Sequence, residues 1–363
     1  MTVWDRLQLE PIVSGCPNRC RHCSEEGGPP FGALMSLDDV KWLVGEFGRA
    51  FEKTTGHAPS VRCGLDTFEP TAHPDFVRLK AYELSFIPEA RRHEFDMLSS
   101  NGYGLARLED WRPVYEALIA AGFSGIGFAI HGLEAEHDWF VRRSGAYRDL
   151  VIATQRALAC GMRVWFEIHL NKRNLDSFNS IAEMLEQLGG GKIRIITGVP
   201  GFFPNDRLRE FEALLRPTKA DLDLFAEALE RMKCGVETEA VWTQRLMEKG
   251  RKICPHTYEH GGNVPSERTL GRLVVMPDLD VKELFFSRPA IPHGNVRRDG
   301  IESVWRSILE AQGPPLPEPQ ELARLYGDFG SQALHPCGDS VYMKLCDRYW
   351  HGRPQTASGR TSR

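Results

Sequence analysis

The feature that most constrains this chain is the alternation of strand-like and helix-like segments over about its first 200 residues. Strand periodicity falls at Leu7–Val13, Ser60–Leu65, Glu94–Ser99, Gly125–Ile130, Arg163–Leu170 and Lys192–Thr197. Helical periodicity lies between them, at Leu37–Phe51, His73–Tyr82, Leu108–Ala121, Tyr147–Cys160 and Ser177–Leu188. Ser36 is placed to cap the first helix, with Asp38 and Asp39 in its opening turn. Gly161 and Gly189 are placed to close the last two helices. Six strands joined by helices imply an α/β fold with parallel pairing and right-handed crossovers. The rhythm favours an open or partial barrel over a doubly wound sheet, although periodicity alone leaves both open.

After Thr197 the rhythm breaks at Gly198-Val199-Pro200-Gly201. Helices are expected at Lys219–Lys233, Glu239–Lys249 and Ile301–Ala311, a hairpin from Leu273–Met276 and Val281–Phe286, and a connector at Pro314–Pro319. The expected layout is a barrel over residues 1–200, a helical linker and extension over 201–350, and a disordered tail over 351–363.

Lys+Arg 45 against Asp+Glu 49 gives a net charge of −4, so no basic surface for nucleic acid is expected. Met1–Arg6 lacks a signal pattern, and no window approaches the roughly 18 apolar residues of a membrane span. A cytoplasmic protein with a small-molecule substrate, and with neither nucleic acid nor membrane as partner, is the expectation. In a reducing compartment its 9 cysteines read as metal ligands, catalytic thiols or core residues rather than disulfides. Cys63, Cys160 and Cys234 sit in or beside regular segments and read as core.

The strongest chemical signal is Cys16-Pro17-Asn18-Arg19-Cys20-Arg21-His22-Cys23, a C-x3-C-x2-C cluster just after the first strand. Loops at the carboxyl ends of strands are where α/β folds bind ligands. Three thiolates suit a soft metal centre. A structural zinc site completed by a distant Cys or His is one reading. An iron–sulfur cube with one iron left open for a ligand is the other.

The cluster and several later motifs together resemble the radical S-adenosylmethionine (radical SAM) superfamily. Leu7-Gln8-Leu9-Glu10-Pro11 resembles the strand leading into its cluster loop. Thr67-Phe68-Glu69-Pro70 falls where that family has Gly-Gly-Glu-Pro, followed by His73-Pro74-Asp75-Phe76. Ser99-Ser100-Asn101-Gly102 resembles the close of the third strand. Glu136-His137-Asp138, Arg142-Arg143 and Gly145-Ala146-Tyr147 resemble the loop after the fourth. The resemblance implies a partial (β/α)6 barrel carrying a [4Fe–4S] cluster on Cys16, Cys20 and Cys23, with S-adenosyl-L-methionine on the open iron. It places Glu69 and Asn101 near that cofactor and Arg142 or Arg143 on its carboxylate. His131, at the end of the fourth strand, points toward the same site, as a cofactor contact or proton-transfer group or as a structural hydrogen-bond partner. The resemblance also implies a reducing partner such as flavodoxin or ferredoxin. Glu167 and His169 share one face of the fifth strand by period two and are candidates for the barrel lumen.

Leu273–Asp278, His293–Val296 and Ile301–Trp305 resemble the SPASM/twitch extension of many such enzymes, in degenerate form, with Phe285-Phe286-Ser287 where a cysteine normally follows the hairpin. The resemblance makes Cys254, Cys337 and Cys346 candidate ligands of one auxiliary cluster, with His256, His335 or Asp347 as a fourth. Cys254 is also a candidate hydrogen-atom donor, as in radical epimerases of antibiotic sugar rings. The expected function is hydrogen abstraction from a polar small molecule, a sugar or aminocyclitol of a secondary metabolite, ending in epimerisation or oxidation. The alternatives are a maturase of a ribosomally made peptide and a zinc-stabilised binding protein.

Overall fold

The structure, a computed structural model, describes residues 6–24, 30–65, 67–202, 205–223, 236–250, 272–285, 288–311, 317–327 and 331–352. Its first half runs β1 (Arg6–Pro11), α1 (Leu37–Thr55), β2 (Ser60–Cys63), α2 (Phe76–Ser85), β3 (Met97–Ser99), α3 (Tyr103–Ala106) and α4 (Trp111–Ala120). It continues as β4 (Gly125–Ile130), α5 (Glu134–Val141), α6 (Ala146–Ala159), β5 (Arg163–His169), α7 (Phe178–Gly189), β6 (Ile193–Gly198) and α8 (Asp206–Leu214). Ser36 caps α1 as expected: its Oγ accepts the Asp39 N–H at 3.1 Å, and Gly56 ends the helix with φ 79°.

All six strands are parallel, β1 with β2, and β3 through β6 in sequence order. Alternation within the strands builds two surfaces. Ile126, Phe128 and Ile130 of β4 and Val164, Phe166 and Ile168 of β5 are buried in one cluster with Leu150, Ala153 and Ala157 of α6 and Ile181 and Leu185 of α7. Each large side chain so buried contributes about 1.5–3 kcal/mol. The intervening Trp165, Glu167 and His169 are half-buried on the opposite, lumenal face.

The C-terminal part adds β7 (Glu237–Thr238), β8 (Arg272–Val275), β9 (Asp280–Phe285), β10 (Arg288–Asn295) and β11 (Leu334–His335). The expected hairpin is β8–β9, and β10 extends it by a third antiparallel strand. β8 pairs parallel with β1, Leu9 opposite Leu273, so the extension continues the barrel sheet. Leu7, Leu9, Phe47 and Phe51 share an apolar cluster with Leu273, Val275, Val304, Trp305 and Ile308. On α1, Trp42 stays 39% exposed while Phe47 and Phe51 are buried. Residues 353–363, most of the expected tail, and residues 224–235, most of the expected helix ending at Lys233, lie outside the described residues. Among the described residues, no helix is long and apolar enough to cross a membrane.

Candidate active site

The loop after β1 is held by backbone and side-chain bonds from both sides. The Arg19 and Arg21 amides donate to the Val141 and Phe140 carbonyls at 3.0 and 3.1 Å. Asn205, the N-cap of α8, donates through Nδ2 to the carbonyls of Cys23 and Ser24 at 3.0 and 3.1 Å. Arg21 stacks on Trp139, 3.8 Å from the ring centre.

Within this frame Cys16, Cys20 and Cys23 are half-buried thiols, none in a disulfide. The three interact electrostatically, and Cys16 also feels Glu69. Burial and these negative neighbours push the Cys16 thiol up to about 12, and burial raises that of Cys20 still further. Without a cation nearby, Cys16 and Cys20 are held in the thiol form. A positively charged metal centre would deprotonate them, since thiolates are the ligating form. Two N–H groups already point at the Cys16 sulfur, from the Asn18 backbone at 3.4 Å and Asn101 Nδ2 at 3.2 Å. This donor set fits an iron–sulfur cluster, which is ligated by thiolates and tuned by N–H···S bonds.

Glu69 is fully buried between β2 and the turn Pro70–Ala72. Its carboxylate accepts the Asn101 N–H at 2.6 Å, the Ser100 hydroxyl at 2.8 Å and the Thr71 hydroxyl. Burial raises its pKa against the pull of those bonds. Asn101 therefore links Glu69 to Cys16, and its own Oδ1 accepts the Tyr103 N–H at 3.0 Å. Phe68 stands at a position where the family has glycine, and its backbone still takes the left-handed conformation, φ 67°.

Arg142 and Arg143 part company. Arg142 closes α5 in the left-handed conformation, φ 56°, and its side chain pairs with Glu210 at 2.9 Å on a half-exposed surface. Arg143 turns inward, donating from Nε to Asn18 Oδ1 at 2.5 Å and from Nη1 to Asp149 Oδ2 at 2.6 Å. Its Nη2 is buried with no hydrogen-bond partner. This is the free donor that a bound carboxylate would satisfy. The motif Glu136-His137-Asp138 lies in helix α5. Asp138 accepts the amides of Gly145 and Tyr147 at 2.5 and 2.9 Å, which shapes the entry to α6.

His131 is 3% exposed, stacked on Phe140 at 4.3 Å between ring centres. Burial holds its pKa well below the ordinary histidine range. His22, from the cysteine loop, lies 4.7 Å from the His131 ring and 5.0 Å from that of His169. His169 Nε2 faces Glu167 Oε2 at 3.2 Å, and that contact lowers the Glu167 pKa against its burial. Gly127 on β4 leaves room for the Trp165 indole, which a Cβ there would meet at 1.7 Å.

Of the C-terminal candidates, Cys254 and His256 lie outside the described residues. Cys337 directly precedes the helix Gly338–Gly352, and Cys346 is buried within that helix among Leu246, Leu322 and Leu345. Nine residues of helix separate the two by about 13 Å along the axis. The other fourth-ligand candidates are engaged elsewhere: His335 sits 3.5 Å from both Glu212 and Glu239, and Asp347 pairs with Arg209 at 2.7 Å. The roles of Asn18 and Asn205 had no signal in the sequence, because each acts through contacts 125 or more residues away.

A barrel of parallel strands whose first loop gathers three thiols defines a protein built to hold an iron–sulfur cluster and a bound cofactor. The profile of the Radical SAM superfamily matches residues 11–185, and this part of the chain is a radical SAM domain. Its cofactors are a [4Fe–4S] cluster and S-adenosylmethionine. No curated protein matches the sequence. Similar solved structures include native anSMEcpe with bound AdoMet and Cp18Cys peptide, at 12% identity and TM-score 0.44, covering 95% of this chain and 96% of that one. Streptococcus suis SuiB bound to S-adenosylmethionine is 11% identical with TM-score 0.40, covering 77% and 60%. A radical SAM methyltransferase from Sphaerobacter thermophilus is 18% identical with TM-score 0.40, covering 62% and 63%.

Proposed function

We propose that this protein cleaves S-adenosylmethionine reductively and removes hydrogen from a C–H bond of a polar substrate held in the barrel lumen. The observation that carries this reading is the convergence of Cys16, Cys20 and Cys23 beside Asn101 and Arg143 at the carboxyl ends of parallel strands. When bound, the cluster and cofactor supply a 5′-deoxyadenosyl radical. The three cysteines hold the cluster and Asn101 orients the Cys16 sulfur. Glu69 anchors the end of β3, and the unpaired Nη2 of Arg143 takes the cofactor carboxylate. His131, stacked on Phe140, forms one wall of the site beside the loop. An electron donor of the flavodoxin or ferredoxin class completes the system.

Trp165, Glu167 and His169 line the lumen with a donor and an anion, which suits a substrate rich in hydroxyl or amino groups. In its narrow form the substrate is a sugar or aminocyclitol. Oxidation would pass the substrate radical's second electron to the iron–sulfur cluster. Epimerisation would have Cys254 return a hydrogen atom, its thiyl radical then taking one electron from the external donor and one proton from solvent. Cys254→Ala would then keep 5′-deoxyadenosine formation and lose inversion. The second reading is a peptide maturase. An anSMEcpe structure named above holds a peptide beside AdoMet, and that likeness is one of fold.

The test is anaerobic reconstitution followed by iron, sulfide and 5′-deoxyadenosine assays, with deuterated sugars, aminocyclitols and peptides offered in turn. About four irons per chain, lost together with cofactor cleavage in Cys20→Ala, is the expected result. About eight irons would add an auxiliary cluster with ligands among Cys254, Cys337 and Cys346. A colourless protein holding one ion through four side chains would overturn the proposal.

A further inference from the structure

We infer that His22, His131 and His169 form a second metal site, separate from the cysteine trio, for a divalent transition-metal ion such as Zn2+. The three arrive from different places: the cysteine loop, the residue after β4 and the last residue of β5. One ring nitrogen from each lies within 4.8 Å of those of the other two. His169 Nδ1 and His22 Nε2 are 3.3 Å apart. Two nitrogens bound at about 2.0–2.1 Å to one tetrahedral ion stand at about that separation.

Ring packing does not satisfy this cluster. Nδ1 of His22 and Nδ1 of His131 are both buried without a hydrogen-bond partner. His131 is only 3% exposed. A buried polar atom left unpaired is costly, and native proteins rarely leave two side by side. Coordination through Nδ1 of His131 would recover that cost at one of the two, and Nε2 of His22 is the nitrogen turned toward His169.

Glu167 supplies the remaining part. Its Oε2 faces His169 Nε2 at 3.2 Å and so fixes the proton on that nitrogen. Nδ1 is then the lone-pair nitrogen, turned toward His22. A carboxylate behind a ligating imidazole is the usual support of protein metal sites. Three imidazoles suit zinc, copper, iron or nickel rather than magnesium or calcium. They also leave a fourth position for water or for an oxygen of a bound molecule.

The test uses the full chain with its iron–sulfur cluster reconstituted anaerobically, so that the cysteines are occupied, and Zn2+ alone as the probe. Equilibrium dialysis with elemental analysis should find one zinc per chain in addition to the iron. His169→Ala and His131→Ala should each weaken zinc binding at least 100-fold with iron content unchanged. Glu167→Gln, a change at a half-exposed side chain, should weaken it 10- to 100-fold, the range typical of such supporting groups. The proposal is overturned if wild type retains no zinc, if zinc enters only as iron leaves, or if folded Glu167→Gln binds zinc as wild type does.

Discussion

Asn101 donates through Nδ2 to Cys16 Sγ at 3.2 Å while its backbone N–H donates to Glu69 Oε2 at 2.6 Å. One residue thus ties the end of the third strand both to a buried carboxylate and to a cluster thiol. Asn101→Ala removes the bond to the sulfur, together with the Oδ1 bond to the Tyr103 N–H, and keeps the backbone bond to Glu69. Hydrogen bonds to ligating sulfurs stabilise the reduced cluster, so the variant should keep its iron and show a more negative midpoint potential. A redox titration followed by EPR checks this. An unchanged potential would mean that the amide serves only to close the turn.

The two adjacent arginines should behave differently. Arg143 bridges Asn18 and Asp149 and keeps a buried, unpartnered Nη2. Arg143→Lys retains the charge and loses the fork, so the KM for S-adenosylmethionine should rise 10-fold or more, roughly the 1.5–3 kcal/mol of a charge-assisted bond. Arg142 pairs with Glu210 where the side chains are 34% and 36% exposed. Such pairs are worth about 0–1 kcal/mol, so Arg142→Ala should change neither KM nor stability by more than a few-fold. Steady-state formation of 5′-deoxyadenosine separates the two.

Much of this was legible in the sequence. β4 occupies the expected Gly125–Ile130, and Ser36 caps α1, because local periodicity and capping chemistry dictate both. Helix α5 escaped notice because His137 occupies a core-facing position, leaving no apolar stripe to read. β10 escaped because Pro289, Pro292 and Gly294 argue against a strand; an edge strand with register shifts accommodates them. Pro319 belonged to an expected connector and instead opens the helix Pro319–Tyr326, where a missing N–H costs nothing. The cysteines were legible as a motif. The meeting of His22 with His169, 147 residues apart, was not, because barrel curvature brings them together.

Phe68 carries a measurable cost. A side chain in the left-handed region loses about 1–2 kcal/mol relative to glycine, partly offset by the 0.5–1 kcal/mol of backbone entropy that glycine gives up. Phe68, at φ 67°, should therefore tolerate replacement by glycine with little change in stability. Phe68→Val, β-branched in the same conformation, should be the least stable of the three. Thermal denaturation ranks them, and valine matching glycine would contradict the backbone assignment.

Gly104 has no such latitude. A Cβ at this position would lie 2.0 Å from the Thr71 carbonyl oxygen and 2.7 Å from the Ala72 nitrogen, both backbone atoms. Helix α3 or the turn Pro70–Ala72 must move, and Glu69 sits at the start of that turn. Gly104→Ala should cost about 3 kcal/mol, the upper end of overpacking effects. It should also weaken cofactor binding, because the displaced turn carries Glu69 away from Asn101. A Tm and a binding isotherm measured on the same preparation test the coupling.

The C-terminal helices meet around a buried charge cluster that should set the acid limit of the fold. Lys344 Nζ donates to Glu212 Oε1 and Glu239 Oε2, each at 2.5 Å, while Arg216 pairs with Glu212 and His335 lies 3.5 Å from both carboxylates. Bonds from His335 and the charges of Arg216 and Lys344 hold Glu212 far below the usual carboxylate range, and bonds from His335 and Lys344 do the same for Glu239, in both cases against burial. A depressed folded-state pKa means stability that is present in full above the ordinary Glu value of about 4.3 and is lost as pH falls below it. Tm should therefore be flat near neutrality and drop progressively below about pH 4.3. Lys344→Met should lower stability at pH 7 by about 3–5 kcal/mol, because it leaves buried carboxylates short of a counter-charge. It should also flatten the acid limb, since both carboxylates then titrate closer to their unfolded values. A variant that loses stability equally at every pH would show that Lys344 contributes packing rather than charge.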